Sequence, residues 1–196
     1  MQHNPTPREM VREFHEAFGH PVNKSFMSDT ALQELRFKLI DEELKEAYDA
    51  LTNIVYEPYD GCEADFLKEM CDVVYVTLGA SLSLGVTVWS AIPVVYEIGH
   101  TQPSLSYIHF MLLDLRNLNL RCDFTDEENT KDTLDLILQM AYIITSTLGY
   151  SIYPAFQEVH RSNMSKLGED GKPVRRPDGK VLKGLNYKEP DLTPFV

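Results

Sequence analysis

Glu42-Glu43-Leu44-Lys45-Glu46, followed after 22 residues by Glu69-Met70-Cys71-Asp72, is the stretch on which the reading of this chain turns. Residues three or four apart on a helix share a face. Glu43 with Glu46, and Glu69 with Asp72, therefore form two carboxylate pairs on two consecutive predicted helices. Antiparallel packing would gather four negative charges at one spot. Such a cluster repels itself unless cations neutralise it, and an all-oxygen donor set suits Mg²⁺ or Mn²⁺ rather than zinc.

The competing reading is a solvated acidic face, the usual state of Glu-rich helices. Two features oppose it. Glu43 lies between Leu39 and Ala47 at the edge of an apolar stripe, and Asp72 opens a charge-free run that lasts to Tyr96. A carboxylate at such a position is costly to bury without a partner. Lys45 and Lys68 are expected to point elsewhere, so a divalent metal is the expected partner. Mg²⁺ shares its coordination shell with water and phosphates, and a spare carboxylate such as Glu42 can orient a water or take its proton. The chemistry implied is metal-assisted hydrolysis of a phosphoanhydride.

Helical periodicity extends outward in both directions. A first helix is predicted from about Pro7 to Phe18. A long second helix follows, capped by Ser28 or Asp29 and broken at Pro58, Asp60 and Gly61. The third runs from about Glu63 to Leu84 and ends at Gly85. Further helices are expected from Thr87 to Ile98, from Leu105 to Leu120, from Thr125 or Asp126 to Leu148, and from a Ser151 cap to about Lys166. The fold class expected is all-α, a helical bundle over residues 1–167 with a turn-rich C-terminal arm or small hairpin over 168–196. Leu84-Gly85-Val86-Thr87-Val88-Trp89 resembles Leu148-Gly149-Tyr150-Ser151-Ile152-Tyr153 at an offset of 64, either a duplication or a recurring helix stop.

Charge is unevenly distributed in a chain of formal net charge -12: residues 41–72 hold eleven acids against two lysines, and residues 164–183 hold six cations against three acids. An acidic body with a basic tail argues against binding a nucleic acid polymer and fits a small anionic ligand. Three cysteines without a CxxC pattern favour a reducing compartment. The charge-free runs 73–96 and 136–157 are interrupted by Ser, Thr, Gly or Pro and read as bundle core, not membrane spans. No apolar signal pattern is seen over 1–24, and a cytoplasmic protein is expected.

The acid motif, with Arg36-Phe37-Lys38-Leu39-Ile40 ahead of it, resembles the signature of the all-α nucleoside triphosphate pyrophosphohydrolases. This MazG-like group includes phosphoribosyl-ATP pyrophosphohydrolase and dimeric dUTPases. The closing segments Glu158-Val159-His160-Arg161-Ser162-Asn163-Met164-Ser165-Lys166 and Gly179-Lys180-Val181-Leu182-Lys183-Gly184, with Tyr187 and Pro190-Asp191-Leu192, resemble phage and bacterial members. The resemblance implies a MazG-like bundle, a homodimer or homotetramer, that cleaves a (d)NTP to (d)NMP and pyrophosphate. It implies Glu43, Glu46, Glu69 and Asp72 as metal ligands and Glu42, with Glu43 and Glu46, in catalysis. Asn163 and Lys166 would touch substrate phosphate or sugar; their alternative roles are a helix C-cap and a dipole-compensating lysine. Arg161, Lys183, Arg175 and Arg176 are further phosphate candidates.

Nucleotide-pool control or phage nucleotide metabolism is the expected role, with dGTP or dATP as possible substrates. The alternatives are a dUTP- or dCTP-preferring enzyme and a non-catalytic metal- or nucleotide-binding regulator. Phe14, His15, Phe18, Tyr75, Trp89 and Tyr142 are candidate base platforms, though each also fits a core position. The fifty residues from Val86 to Asp135, with the helix that follows, depart from the family pattern and leave the base open.

Overall fold

The computed structural model describes residues 4–26, 29–88, 104–174 and 181–196. Among these residues the regular structure is helical, with a single isolated bridge between Leu167 and Pro173. This is the all-α architecture that the periodicity predicts.

Helix α1 (Pro7–Phe18) opens with a reciprocal cap. Thr6 Oγ1 accepts from the Glu9 N–H at 3.3 Å, and Glu9 Oε2 accepts from the Thr6 N–H at 2.7 Å. Helix α2 (Thr30–Tyr56) is capped by Asp29, whose carboxylate accepts from the Leu32 N–H at 3.1 Å; the alternative cap Ser28 lies outside the described residues. Helix α3 (Cys62–Leu84) ends at Gly85, where φ is +72° and a Cβ would stand 1.9 Å from the Ser25 carbonyl oxygen. Only glycine meets both demands.

Helices α2 and α3 run antiparallel and make the most extensive contact of any described pair. Ile40, Leu44, Ala47 and Leu51 of α2 and Phe66, Leu67, Met70 and Val74 of α3 are all buried in one apolar core. Each of the large side chains contributes roughly 1.5–3 kcal/mol on burial. Helix α4 (Leu105–Arg121) covers α2 and is tied to it by Arg116, whose Nε and Nη2 donate to the two Asp41 oxygens at 2.7 and 3.1 Å. Helix α5 (Glu127–Thr147), capped by Asp126, packs on α3; α6 (Ile152–Met164) closes against α1 and α3.

Several boundaries differ from expectation. Val86, Thr87 and Val88 are not helical, and the rest of the expected Thr87–Ile98 helix, Trp89 included, lies outside the described residues. Ser151 makes no side-chain cap bond; its N–H instead donates to the Phe195 carbonyl at 2.9 Å, which binds the chain terminus to the start of α6. That helix ends at Met164, two residues short of Lys166. The two similar segments share one device: the Val86 N–H reaches Ser81 O at 2.9 Å and the Tyr150 N–H reaches Thr145 O at 3.0 Å, each around a left-handed glycine.

The described part of the C-terminal arm folds back on its own α6. Lys188 N–H donates to Ser165 Oγ at 2.9 Å, Asp191 N–H to Glu158 Oε1 at 3.1 Å, and Leu192 is buried. The Leu182 N–H reaches Val174 O at 2.8 Å, the base of the anticipated hairpin, whose tip with Arg175 and Arg176 lies outside the described residues. No single described helix is long and apolar enough to cross a membrane.

Candidate metal and phosphate site

The α2–α3 seam carries apolar residues on its inner side and carboxylates at its rim. Glu43 of α2 and Glu69 and Asp72 of α3 each bring one oxygen within 4.8 Å of the others. The helices converge because Leu44 and Met70, beside these acids in sequence, are fully buried and fix the register. Glu43 is partly buried. Burial, then repulsion from Asp72, Glu46 and Glu69, pushes its carboxyl up to about 8. Burial also raises Glu69. One of its oxygens, Oε2, is buried with no hydrogen-bond partner.

Lys68 overturns one expectation. It does not point elsewhere: its Nζ lies 2.9 Å from Glu69 Oε1 and 2.9 Å from Asp72 Oδ2. The reason is geometric. Asp72 is one helical turn beyond Lys68, and Glu69 is its chain neighbour, so one flexible arm spans both. Burial opposes the charge on Lys68, but Asp72 and Glu69 outweigh it and raise its pKa. Lys45 does turn away, to Asp49 at 2.7 Å.

The other predicted acids are placed differently. Glu46 is exposed on the wall of a cleft, one turn from Glu43 and near enough to Glu69 to repel it. Glu42 is exposed and lies 3.6 Å from Lys38 Nζ, outside the convergent group. The cleft measures about 540 Å³ and is bounded by Glu46, Lys68 and Glu69 on the helix side and by Lys183, Tyr187 and Glu189 of the arm on the other.

Lys166 Nζ donates to Asn163 Oδ1 at 2.7 Å, so this pair forms a unit near the end of α6. Burial lowers the Lys166 pKa, and Asp72 is the leading charge that pulls it back up, which places the ammonium within Coulombic reach of the acid group. Behind it, the Tyr75 hydroxyl meets His160 Nδ1 at 3.1 Å, and His160 Nε2 meets Glu13 Oε2 at 3.2 Å. Arg161 is committed elsewhere. It donates to both Glu158 oxygens at 2.7 and 2.6 Å and to the Glu189 carbonyl at 3.0 Å, and so anchors the arm. Lys183 lies 3.3 Å from Glu189 Oε1 and 4.4 Å above the Tyr187 ring.

The donor set fits a hard divalent cation: three carboxylates converge, one keeps an unpartnered buried oxygen, and another is driven toward its neutral form where no metal balances it. With this geometry goes a sequence match. Residues 11–96 match the profile of the phosphoribosyl-ATP pyrophosphohydrolase family. That family is part of the all-α, MazG-like NTP pyrophosphohydrolase superfamily. The match spans α1 to α3 and contains all five motif acids; α4 to α6 and the arm, with Asn163, Lys166 and Lys183, fall beyond it. A protein of Acanthamoeba polyphaga mimivirus, itself uncharacterized, is similar at 29% identity over 83% of this chain and 71% of its own length. The superfamily supports a pyrophosphohydrolase-type activity on a nucleotide.

The engagement of Lys68 with two of the acids, and the His160–Glu13 contact behind Tyr75, are site features that sequence reasoning missed. For Lys68 a signal existed in its spacing to Asp72. For the arm residues no local pattern shows that they fold back over the acids.

Proposed function

We propose that the protein is a Mg²⁺- or Mn²⁺-dependent (d)NTP pyrophosphohydrolase that breaks the bond between the α and β phosphates and releases a monophosphate and pyrophosphate. The observation that carries this reading is the convergence of Glu43, Glu69 and Asp72, with an orphaned Glu69 oxygen, beside the cationic pair Lys68 and Lys166. Glu43, Glu69 and Asp72, joined by Glu46, are the residues that would hold the metal. When bound, such ions neutralise phosphate charge and make water a better nucleophile at neutral pH.

The chain's own groups divide the remaining work. Glu46, on the cleft wall, is assigned to orient the attacking water and take its proton; Glu42, paired with Lys38, is an outer acid. Lys166, steadied by Asn163, binds phosphate oxygen on the α6 side. Lys68, which now neutralises Glu69 and Asp72, would be free to bind phosphate if a metal ion took over that role. The pyrophosphate departs into the cleft, where Lys183 of the arm meets it. Arg161 serves this site only by holding the arm in place.

The role that follows is nucleotide-pool control or phage-type nucleotide metabolism, in a homodimer or homotetramer. The exposed apolar residues Tyr107, Phe110 and Leu113 along α4 supply a face for a second copy of this chain. Pyrophosphate release from a panel of (d)NTPs, with Mg²⁺ or Mn²⁺ against EDTA, tests the reading. Release that depends on metal and falls at least about a hundredfold in Glu46→Gln supports it. Absence of release from every nucleotide leaves a regulator or a structural salt-bridge cluster in its place.

A further inference from the structure

His160 is 9% exposed and Tyr75 6%, yet the chemistry above gives neither a part. The Tyr75 hydroxyl meets His160 Nδ1 at 3.1 Å, and His160 Nε2 goes on to Glu13 Oε2 at 3.2 Å. Buried polar groups are costly unless they are paired, and here the pairing does not close on itself. The Tyr75 oxygen also faces the side-chain amide of Asn163, and Asn163 Oδ1 accepts from Lys166 Nζ at 2.7 Å. A line of polar groups thus runs from Glu13 on the surface of α1 to the cation beside the acid group.

The two ends fix the direction of every bond between them. An ammonium only donates and a carboxylate only accepts. Glu13 therefore takes the proton on His160 Nε2. Burial lowers the His160 pKa against the pull of Glu13, so the ring is neutral at physiological pH and Nδ1 presents a lone pair. Burial also keeps the Tyr75 phenol protonated. Its hydroxyl then donates to Nδ1, and its oxygen is left to accept from Asn163. At the other end Lys166 claims Asn163 Oδ1, which turns the amide NH₂ toward Tyr75. Each donor points from Lys166 toward Glu13, and one orientation of the amide satisfies both of its neighbours.

The line is built on rigid parts. His160 and Asn163 are three apart on α6 and share a face. Lys166 follows one turn later, its N–H bonded to the Asn163 carbonyl at 3.2 Å. Tyr75 stands on α3 one turn beyond Asp72, and its ring is held by Phe156, stacked at 5.4 Å, and by Phe14, edge-on at 5.4 Å. A hydroxyl that cannot swing thus holds an amide that otherwise could. With the amide reversed, its NH₂ would face the ammonium. Lys166, a flexible side chain, would then lose the acceptor that keeps it within reach of Asp72.

We propose that Tyr75 and His160 are positioning residues for Lys166: they hold the Asn163 amide with its oxygen toward the ammonium and so aim that cation at the substrate phosphate. The inference deepens the proposed pyrophosphohydrolase activity and rests on it for what Lys166 binds. Glu13 completes the line by fixing the tautomer of His160, as a carboxylate partner does for an imidazole that must present one particular nitrogen.

Two measurements test it: kcat and KM for a cleaved nucleoside triphosphate with Mg²⁺, and calorimetric binding of inorganic triphosphate with Mn²⁺, which needs no turnover. Tyr75→Phe keeps the ring and removes the hydroxyl. It is expected to raise KM and the inorganic triphosphate Kd about fivefold, with kcat within about twofold of wild type. In a Lys166→Met background the same change is expected to cost less than about 1.5-fold, because the hydroxyl acts through the lysine. His160→Leu is expected to behave as Tyr75→Phe does, whereas His160→Gln, whose amide offers both an acceptor and a donor, is expected to stay within about twofold of wild type. Should Tyr75→Phe fail to fold, the same cycle with His160→Leu decides. Full multiplication of the two single effects would overturn the proposal. So would a lowered Tm with KM and binding unchanged, which would mark the line as packing only. If no nucleotide is cleaved but inorganic triphosphate binding shows the coupling, the positioning role stands and the hydrolase reading alone fails. If nucleotide is cleaved and Lys166→Met leaves KM and binding unchanged, the positioning role alone fails. If nothing is bound or cleaved, both fail.

Discussion

Lys68 Nζ lies 2.9 Å from Asp72 Oδ2, one turn along the same helix, and at the same distance from Glu69 Oε1. A single ammonium therefore holds the place between carboxylates where a divalent cation would carry twice the charge. Without metal, this lysine partly neutralises the acid group.

Removal of that lysine separates the two states. In EDTA, Lys68→Met is expected to destabilise the fold by about 1 kcal/mol, a modest figure because the lysine side chain is 38% exposed. With Mn²⁺ the loss is expected to vanish, and metal affinity to rise, since no ammonium competes. Urea melts with and without Mn²⁺ check both.

Metal-free stability is expected to fall as pH rises from about 5 to 8. Glu43 is held near 8 in the fold, by burial first and by neighbouring acids second, against about 4.5 unfolded. Between those values the native state binds the extra proton, so its advantage is complete below the unfolded pKa and is lost on approach to the folded one. The slope from this group alone reaches at most about 1.4 kcal/mol per pH unit. Glu43→Gln should flatten it. Metal displaces the same proton, so Mn²⁺ affinity should increase over the same range, and isothermal titration in buffers of different ionisation heat would count the proton released.

Arg161→Ala should act through the arm and not through chemistry. The guanidinium clamps Glu158 and the Glu189 carbonyl, and Lys183 and Tyr187 ride on that clamp. KM for the triphosphate is expected to rise about tenfold with kcat nearly kept, and protease should cut the arm faster. A fall in kcat with unchanged KM would instead put Arg161 in the reacting centre.

Phe110→Glu on the exposed strip of α4 tests assembly. The variant is expected to sediment as monomer without loss of helicity, because Phe110 is 66% exposed and contributes little to the fold of one copy. An unchanged sedimentation coefficient would mean that this strip is not an interface.

Most of the helical plan was legible in the sequence, since a glycine stop such as Gly85 and caps such as Asp29 and Asp126 act locally. The acid motif was legible because its spacing is a helical spacing. Ser151 holds the expected N-cap position, but its hydroxyl makes no cap bond and its N–H is taken by Phe195, which no local pattern announces. Lys68 was misread because charge counting ignores which rotamer an isolated side chain selects once carboxylates flank it.

The order of residues alone determined which side chains share a helix face: Glu43 with Glu46, and Glu69 with Asp72. Only the packed structure decided that α3 lies antiparallel on α2 in the register that sets Glu43 against Asp72. It also decided that the arm returns over the cleft and that Glu42 stays outside. The physical reason is range. Helix periodicity is fixed by bonds a few residues long, whereas the convergence of charges from separate helices depends on which apolar surfaces exclude water together.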